Sequence, residues 1–489
     1  MLAAAAATTI GLSGAGSRIE ATVVPAAHAA APTVLVIGGL SGADASASAV
    51  SAALQRFAAR APRARDVNLI AIPIANPDAA RLQFPPSGIA YREHAESHVL
   101  WRWIGVHAPD LVLIEGPDDF GLTRAFTMPV AEMGAIPVQS VTSASEWLAS
   151  GAHALAPSDA RKELARRLAR TPRQLAEELA QYYGHDFDQP IYVNALALIG
   201  QLRLGHRDEV VRLVEPYVDG TKNPLARPNS LVLAGHSVFA ALARARHDAR
   251  YIARVRAAAD LGFEPDGRPK EAMPYHDGFS DSVFMGTVVL TEAGALSGER
   301  RYFDLAVRHV AFMQKLLVRP DGLYRHQPDV DAAWGRGNAF PALGLALALS
   351  DLPRSHPGYR HLLGDYREFM AVLARFQNED GLWRNVIDEP GAYAEFSATA
   401  MIGFAMLRGI ERGWLDKRLY QPRVEQAWRA VLARVGPSGH LLDVCESTAR
   451  MSSAADYLHR AASAGPDARG GAMALLFATE LAGLGHGEL

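Results

Sequence analysis

Four short turns recur along the C-terminal two-thirds of the chain at a nearly constant spacing. They are Asp266-Gly267, Asp321-Gly322, Asp380-Gly381 and Ser438-Gly439. Successive turns are separated by 55, 59 and 58 residues. Two of them lie in near copies, Asp321-Gly-Leu-Tyr-Arg-His326 and Asp380-Gly-Leu-Trp-Arg-Asn385. A constant period of this kind indicates that one supersecondary unit is stacked repeatedly.

The pattern predicts that the repeated unit is a helical hairpin. Each turn follows one helix-like segment and precedes another, and a unit of roughly 55 residues shows no strand-like alternation. About 330 residues from position 160 onward leave room for roughly six such units. Six hairpins that close on themselves form an (α/α)6 barrel, in which the loops gather around one open mouth. The predicted fold is therefore mainly α, and we look for functional residues in these loops.

Residues 33–150 follow a different pattern, in which strand-like and helix-like segments alternate. The predicted strands are 33–37, 67–74, 111–114 and 136–141, after a hairpin at 8–24, and the predicted helices are 45–60 and 95–106. This alternation indicates a parallel or mixed sheet with helices on its faces. Gly, Pro and Ser cluster at 151–158. We therefore predict a smaller α/β domain at residues 1–150 and the barrel at residues 151–489.

The composition excludes several classes of protein. The chain has 49 Lys and Arg against 52 Asp and Glu, a net charge of −3, which gives no electrostatic basis for binding nucleic acid or an anionic membrane. No apolar run approaches the ~20 residues of a membrane span. The single Cys445 excludes an internal disulfide framework and a cysteine-rich metal site. The alanine tract from Ala3 to Ala7 resembles a signal peptide, but no Lys or Arg precedes Arg18. We therefore expect a cytoplasmic location, with the periplasm as the alternative.

Segments of the first domain resemble the zinc carboxypeptidase (M14) fold. In that family's order they are Ile10-Gly-Leu-Ser13, Val34 to Gly39, Asn76-Pro-Asp78 and Pro109-Asp-Leu-Val112. The positions that match the family's zinc ligands are Ser41, Asp44 and Glu115. Serine is a poor zinc ligand, and this set lacks the imidazoles that such sites use. We therefore expect no metal, no other cofactor and no peptidase activity, and we interpret the domain as a structural or ligand-recognition remnant.

Six motifs in the second domain occur in order at the loops of the repeat. They are Asp281-Ser-Val-Phe-Met285, Gly322-Leu-Tyr-Arg-His326, Trp334-Gly-Arg-Gly-Asn338, Phe376-Gln377 with Gly381-Leu-Trp383, Glu395-Phe-Ser-Ala-Thr-Ala400 and Cys445-Glu-Ser-Thr448. Over about residues 205–450 they resemble the unsaturated glucuronyl and rhamnogalacturonyl hydrolases of glycoside hydrolase families 88 and 105. The resemblance implies hydrolysis of a 4,5-unsaturated or related uronic acid at the end of a short acidic oligosaccharide. It also implies that a carboxyl group acts as general acid and base while water adds to the double bond.

The resemblance assigns the catalytic aspartate to Asp281, at a loop-to-helix junction that faces the predicted mouth. A carboxyl desolvated there would have a raised pKa and could serve as the proton donor. Its position alone favours a helix N-cap, for which Ser280 is also suited. The family's second active-site aspartate has no acidic counterpart here, and the matching stretch offers Asn229 and His236 as candidate catalytic residues. This departure implies a different substrate or weaker hydration.

The candidates for binding the sugar are His276, His326, Trp334, Arg336 and Phe340. Arg336 has a planar guanidinium that binds a carboxylate with two hydrogen bonds, and a salt bridge between hairpins is the alternative. The two histidines can donate hydrogen bonds to sugar hydroxyls or to the reacting water. The two aromatic residues can form an apolar platform for a sugar face or belong to the core.

Two other functions stay open from the sequence. A sugar epimerase on the same barrel would need histidines for proton transfer, and His236, His276 and His326 are available. A non-catalytic carbohydrate-binding protein would result if both domains are degenerate, a reading that Ser41 and Asn229 motivate. The expected partner is an oligosaccharide that contains a uronic acid, and the sequence leaves the oligomeric state open.

Overall fold

The computed structural model describes residues 7–128, 130–151 and 155–484. Most of the alanine tract and part of the predicted boundary at 151–158 lie outside these ranges, so the boundary stays a prediction. Within them, strands and helices alternate in the first part of the chain and helices prevail in the second. No helix of the described residues is long and apolar enough to cross a membrane.

A mixed sheet of six strands forms the core of the described residues before 151. Its strands are β1 (Ala7–Leu12), β2 (Arg18–Val24), β3 (Thr33–Ile37), β4 (Asn68–Ile72), β5 (Leu111–Glu115) and β6 (Val138–Val141). They lie in the order β1-β2-β4-β3-β5-β6, with β4, β3, β5 and β6 parallel and the β1–β2 hairpin antiparallel to β4. The helices are α1 (Ala45–Ala58), α2 (Ala95–His107), α3 (Leu122–Ala125) and α4 (Ala144–Ser150). The predicted parallel or mixed sheet is thus confirmed.

The two faces of this sheet have different neighbours. Alternation along β3 sends Val34 and Val36 to the face that α1 and α4 cover. Leu35 and Ile37 point to the other face, where they share an apolar cluster with residues of α2 and with Tyr393 from the second half of the chain. The second face of the sheet therefore packs towards the helical part of the molecule.

The residues that match zinc ligands in the carboxypeptidase resemblance have other partners. The Asp44 carboxylate caps α1 by accepting two backbone N–H groups. Glu115 Oε2 accepts the N–H of Ala144 at 2.6 Å, and Ser41 is exposed. Among the described residues, no three His, Cys, Asp or Glu side chains are placed to hold a metal ion. The carboxypeptidase resemblance itself stays a prediction.

Helices make up most of the chain from residue 159 onward. They are α5 (Asp159–Leu168), α6 (Pro172–Ala180), α7 (Tyr192–Arg203), α8 (Arg207–Val218), α9 (Ser230–Gly235), α10 (Ser237–Arg246), α11 (Ala249–Asp260), α12 (Ser282–Met285), α13 (Thr287–Ser297), α14 (Arg300–Leu317), α15 (Gly335–Asp351), α16 (Tyr359–Arg375), α17 (Phe396–Glu411), α18 (Lys417–Arg434), α19 (Ala454–Leu458) and α20 (Ala468–Leu481). Two short antiparallel pairs accompany them. These are β7 (Trp383–Arg384) with β8 (Ala394–Glu395), and β9 (Leu441–Cys445) with β10 (Ala462–Gly465).

The inner helices close into a ring. In order, α7 packs on α9 and α10, these pack on α12 and α13, and α15, α17 and α20 follow until α20 returns to α7. Outside the ring lie α6, α8, α11, α14, α16 and α18, each packed on an inner helix. The inner helices α15 and α17 are buried on nearly all sides, whereas the outer helices α14 and α16 bury one stripe. Six such helical hairpins are present in the described residues, and the predicted (α/α)6 barrel is confirmed.

The four repeated turns share one hydrogen-bond pattern. At the second turn, the N–H of Gly322 donates to the carbonyl of Arg319, whose own N–H donates to the carbonyl of Leu323. The same two bonds occur at the other three turns. All four glycines have φ between +71° and +88°, a region that glycine enters without steric cost. The sequence period therefore marks a turn between each outer helix and the next inner segment, and the glycine of that turn has a left-handed backbone conformation.

Some predicted helices are interrupted or absent. Residues 159–183 form two helices because Thr171 and Pro172 start α6 with a capping box. The segments 231–245 and 281–296 each divide near their first turns, at His236 and Gly286. The prediction of a helix at 452–462 is wrong beyond residue 458, because Ala462 pairs with Cys445 in the β9–β10 ladder. Pairing with a distant strand overrides local helix propensity there.

A buried ion pair joins the sheet region to the barrel. Arg102 Nη1 of α2 lies 2.7 Å from Asp443 Oδ1 of β9, and the two side chains are only 6% and 8% exposed. Tyr91 Oη donates to the same oxygen at 2.8 Å, and the Tyr91 ring stacks on Tyr393 with centroids 4.3 Å apart. Asp443 has a φ of +62°, so surrounding contacts hold its backbone in an uncommon conformation.

We expect Asp443→Asn to lower the free energy of unfolding by about 3–5 kcal/mol, because it leaves the buried Arg102 without a counterion. Asparagine tolerates a positive φ, so the substitution tests the charge rather than the backbone. Urea denaturation followed by circular dichroism measures the change. The control is Asp188→Asn in the exposed pair with Lys222, whose side chains are 85% and 47% exposed, and there we expect no measurable change in stability. Equal effects of the two substitutions would contradict a structural role for the buried pair.

Candidate active site

The inner helices begin at one end of the barrel, and polar residues lie at or beside their first turns. These residues are Tyr192 (α7), Asn229 (α9), Asp281 (α12), Arg336 (α15), Glu395 (α17) and Asp467 (α20). Because the helices form a closed ring, the repeat supplies each part of the mouth with one such residue. The candidate site is therefore assembled from residues that are far apart in sequence.

Asp281 is a desolvated carboxyl beside His326. Its side chain is 21% exposed, and its Oδ1 lies 3.5 Å from His326 Nε2. This oxygen is shielded from solvent, and no hydrogen bond from a described residue reaches it. Within the described residues Asp281 also makes no side-chain capping bond to α12, so the alternative role of N-cap is not supported. Burial raises the pKa of Asp281 to about 7, although the charge of Arg336 opposes the rise.

A chain of hydrogen bonds holds His326 in one tautomer. Gln327 Oε1 accepts the N–H of Met451 at 2.8 Å and the hydroxyl proton of Tyr457 at 2.9 Å. Tyr457 has then used its only proton, so its oxygen accepts a bond from His326 Nδ1 at 2.7 Å. The lone pair of His326 is consequently on Nε2, which faces Asp281. Burial lowers the pKa of His326 to about 3, so the imidazole is neutral near pH 7.

Aromatic rings fix the plane of this imidazole. The His326 ring stacks on Phe279 with centroids 4.5 Å apart and 4° between the planes. The edge of Trp334 contacts it from another side at 4.8 Å. With the tautomer set by Tyr457 and the plane set by two rings, Nε2 keeps a constant direction towards Asp281.

The predicted aromatic platform of Trp334 and Phe340 is not supported by the structure. Both side chains are 1% exposed. Trp334 donates its indole N–H to Asn385, and Phe340 packs against Tyr192 and other core rings. Their burial follows from their position in the first turns of α15, which the surrounding helices enclose. Phe279 is a partly exposed ring beside the Asp281–His326 pair.

Arg336 connects three segments of the barrel. Its Nη1 donates to the carbonyl of Cys445 at 2.8 Å and to Ser397 Oγ at 3.1 Å, and its Nη2 donates to the carbonyl of Glu446 at 3.0 Å. The residue is 2% exposed, and Glu395 Oε1 lies 3.8 Å from it. The salt bridge between hairpins is thus present. Three hydrogen bonds to protein groups therefore occupy three of the five N–H donors of the guanidinium. Binding of a substrate carboxylate by the remaining donors stays a prediction.

The two near-identical turns are attached to the following inner helix in the same way. In one unit the Asn338 side chain accepts the N–H of Tyr324 at 2.8 Å. In the next unit Thr399 Oγ1 accepts the N–H of Trp383 at 3.1 Å. Each bond fixes the aromatic residue of the turn to the first turns of the helix. This attachment places His326, two residues after Tyr324, beside the start of α15.

Two residues proposed to replace the second family aspartate have other roles in the fold. Asn229 is exposed and caps α9 by accepting the N–H of Val232 at 3.0 Å. His236 is fully buried between α9 and α10, where its Nδ1 donates to the carbonyl of Val232 at 2.8 Å. Burial lowers the pKa of His236 to about 4. The structure therefore assigns His236 to the core, and the prediction of a catalytic role is not supported.

His276 is not part of the Asp281–His326 pair. Its ring packs edge-on against Phe312 of the outer helix α14, and its Nδ1 accepts the N–H of Gly278 at 3.0 Å. It lines a separate surface groove formed by residues 270–277 and Phe312. A contact with substrate stays a prediction for this residue.

Two tyrosines of the site were not predicted from the sequence. Tyr192 is buried at the start of α7, and burial raises its pKa to about 12 while the charges of Arg336 and Asp281 act on it from nearby. Tyr457 fixes the tautomer of His326. Tyr192 could have been found, because it starts an inner helix as the other site residues do. No motif marks Tyr457, which lies outside the repeated turns.

Comparison with known families identifies the family to which the chain belongs. Residues 212–484 match the profile described as Glycosyl Hydrolase Family 88, which is more than half of the chain. The matched region contains Asp281, His326 and Arg336. The chain belongs to glycosyl hydrolase family 88.

Relatives with curated names match shorter segments. The unsaturated rhamnogalacturonyl hydrolase YesR of Bacillus subtilis is 29% identical over 187 residues, which cover 37% of this chain and 52% of that protein. An unsaturated 3S-rhamnoglycuronyl hydrolase of Formosa agariphila is 33% identical over 100 residues, which cover 20% of this chain and 26% of that protein. The chain thus spans about half of the first relative and a quarter of the second.

Solved structures share the fold. A Klebsiella pneumoniae protein described as a possible member of the GH105 family has a TM-score of 0.54 at 19% identity, covering 68% of this chain and 95% of the other. A family 105 glycoside hydrolase of C. acetobutylicum ATCC 824 has a TM-score of 0.54 at 20% identity, covering 66% of this chain and 99% of the other. Both neighbours are covered almost completely, whereas about a third of this chain has no counterpart in them.

We expect Gly337→Ala to lower the free energy of unfolding by about 1–3 kcal/mol, because the site has no room for a methyl group. A Cβ there would lie 2.9 Å from Trp334, 3.0 Å from Ser280 Oγ and 3.4 Å from the His326 ring. The control is Gly364→Ala in α16, where no heavy atom lies within 4 Å and helix propensity predicts a gain of up to about 1 kcal/mol. Chemical denaturation of both variants measures the difference. Stability of Gly337→Ala equal to that of the control would show that the packing at the pair is loose.

Proposed function

We propose that the protein removes a 4,5-unsaturated uronic acid from the end of a short acidic oligosaccharide by hydrating its double bond. The observation that carries the proposal is the pair formed by Asp281 and His326. A carboxyl with a pKa of about 7 stands beside an imidazole whose free nitrogen is fixed as an acceptor. Membership of family 88 and the names of the two curated relatives support this class of substrate.

In the proposed reaction, protonated Asp281 donates its proton to C4 of the double bond and water adds to C5. The resulting Asp281 carboxylate accepts a proton from that water, so the acid form is restored. The product at C5 is a hemiketal, which opens to a ketone and leaves a hemiacetal at C1. That hemiacetal collapses to an aldehyde and releases the remaining sugar chain as an alcohol. His326 Nε2 accepts a hydrogen bond from the water and orients it.

Other residues of the mouth are assigned to binding. The donors of Arg336 that do not bind protein hydrogen-bond the uronate carboxylate, and its positive charge attracts that group. The His326 ring stacks on Phe279 and the Arg450 guanidinium lies over the same ring at 5.6 Å, so we assign only the exposed edge of Phe279 to contact with the sugar. Asn229 and His276 lie outside the reacting pair, and their side chains are proposed to contact hydroxyl groups of the substrate.

The alternatives gain no support from the site. An epimerase needs two groups that exchange protons on opposite sides of one carbon, but His236 is buried in the core and His276 contacts Phe312. A protein that only binds carbohydrate has no need for a carboxyl whose pKa is raised to about 7. Cytoplasmic location stays a prediction, which fractionation of expressing cells tests.

We expect the wild-type protein to abolish the ultraviolet absorbance of the conjugated double bond in lyase-generated unsaturated disaccharides. Asp281→Asn keeps the shape of the side chain but cannot transfer the proton, so the rate should fall by about 10²–10⁴-fold. The control is Asp277→Asn, an exposed aspartate four residues earlier in the chain, for which we expect a rate close to wild type. Unchanged absorbance with wild type, or full activity of Asp281→Asn, would refute the assignment.

We expect kcat/KM, measured from the loss of absorbance at several pH values, to fall about tenfold per pH unit above pH 7, because the reaction needs protonated Asp281 and its pKa is about 7.

The raised pKa of Asp281 also predicts that the stability of the protein changes with pH. Between about pH 4 and pH 7 the folded state retains a proton that the unfolded state releases. The stability of wild type relative to Asp281→Asn should therefore fall by up to about 4 kcal/mol over this range and stay constant above it. Urea denaturation of both proteins at several pH values tests this, and a difference independent of pH would contradict the raised pKa.

A further inference from the structure

A cleft of about 480 Å³ lies between the sheet region and the segment that follows β9. Ile89 and Arg92, from the connection between β4 and α2, form one wall. Glu446, Met451, His459 and Arg460 line the other wall. Because the family match begins at residue 212, the first wall lies outside the region that this chain shares with its family.

The second wall is bonded directly to the surroundings of the reacting pair. The carbonyl of Glu446 accepts a hydrogen bond from Arg336 at 3.0 Å. The backbone of Met451 both donates to and accepts from the Gln327 side chain, which in turn accepts the hydroxyl proton of Tyr457. The segment 446–460 therefore borders the cleft and also holds Arg336 and His326 in place.

The chemistry of the cleft suits a neutral sugar. Among the described residues, none forms a side-chain hydrogen bond or ion pair with Arg92 or with the Glu446 carboxylate. These groups are thus available as a donor and an acceptor for hydroxyl groups. Ile89 is 42% exposed and offers an apolar contact for the C–H face of a ring. The charges of the cleft balance, because its lining contains two arginines and two acidic residues: Arg92, Arg460, Glu446 and Asp456. This balance disfavours a highly charged ligand.

The backbone around Arg92 is held in an uncommon conformation. Tyr91 and His94, which flank it, have φ of +63° and +47°. Strained residues persist where the surrounding structure fixes them, and they cluster at functional sites. Here the Tyr91 ring stacks on Tyr393 and its hydroxyl donates to Asp443, so contacts with the barrel position Arg92 at the cleft.

We propose that this cleft binds the neutral sugar residues that follow the unsaturated uronic acid. Arg92 and Ile89 then make the N-terminal region a part of the substrate-binding surface and determine a preference for longer oligosaccharides. This inference rests on the proposed function, since it places the terminal uronic acid at Asp281.

The test compares two substrates that share their first two residues. One is an unsaturated uronyl disaccharide, and the other is a tetrasaccharide extended by neutral hexoses. For Arg92→Ala we expect the kcat/KM of the tetrasaccharide to fall about tenfold through KM, with kcat unchanged and the disaccharide unaffected. The matched control is Arg63→Ala, an exposed arginine of the same region outside the cleft, which should change neither substrate. Equal effects of Arg92→Ala on both substrates, or no effect on either, would overturn the proposal.

A binding measurement separates failure of this proposal from failure of the proposed function. In the Asp281→Asn background, calorimetry with the tetrasaccharide should show about tenfold weaker binding when Arg92→Ala is added. If wild type turns over neither substrate, the proposed function fails, and the binding difference still decides whether the cleft holds the sugar. Equal affinity with and without Arg92→Ala, or tighter binding of an acidic than of a neutral extension, would overturn the inference.

Discussion

The buried charge of Arg336 is the constraint around which the mouth of the barrel is arranged. A guanidinium that is 2% exposed must be compensated, because an unpaired buried charge costs several kcal/mol. Its partners come from two further segments, Glu395 and Ser397 at the start of α17 and the carbonyls at the end of β9. Their attachment fixes the start of α15 as well. The same charge opposes the effect of burial on Asp281, so the pKa of that carboxyl stays near 7 instead of rising further.

Strand β9 links this arrangement to the rest of the molecule. Its last residue, Cys445, gives a carbonyl to Arg336, and Asp443, two residues earlier, pairs with Arg102 of the sheet region. Two buried arginines from different parts of the chain therefore hold one short strand. A change at the contact between the sheet region and the barrel is thus only two residues from a group that contacts Arg336. Through these two contacts of β9, the N-terminal region helps to position Arg336, in addition to forming one wall of the cleft.

The repeat predicted the barrel because its turns require glycine at a positive φ, and that requirement is visible in the sequence. Asp281, His326 and Arg336 were predicted from motifs that lie at these turns or at the helix starts beside them. Burial is less visible. Trp334, Phe340 and His236 have the residue types of a sugar site, but neighbours distant in sequence enclose them. Tyr457 was missed for a related reason, since its position depends on the β9–β10 pair and not on a local pattern.

The proposed acid, Asp281, lacks the second carboxylate that the family resemblance predicts at the position of Asn229. Where two carboxylates share a site, each raises the pKa of the other through repulsion between like charges. Asn229 carries no charge, so Asp281 cannot gain its raised pKa in that way. Here desolvation raises the pKa of Asp281 instead. The neutral imidazole of His326 does not oppose this rise, whereas a protonated histidine at 3.5 Å would stabilise the carboxylate and lower its pKa. The burial that keeps His326 neutral and the hydrogen bonds that fix its tautomer are therefore as important to the proposed acid as the burial of Asp281 itself.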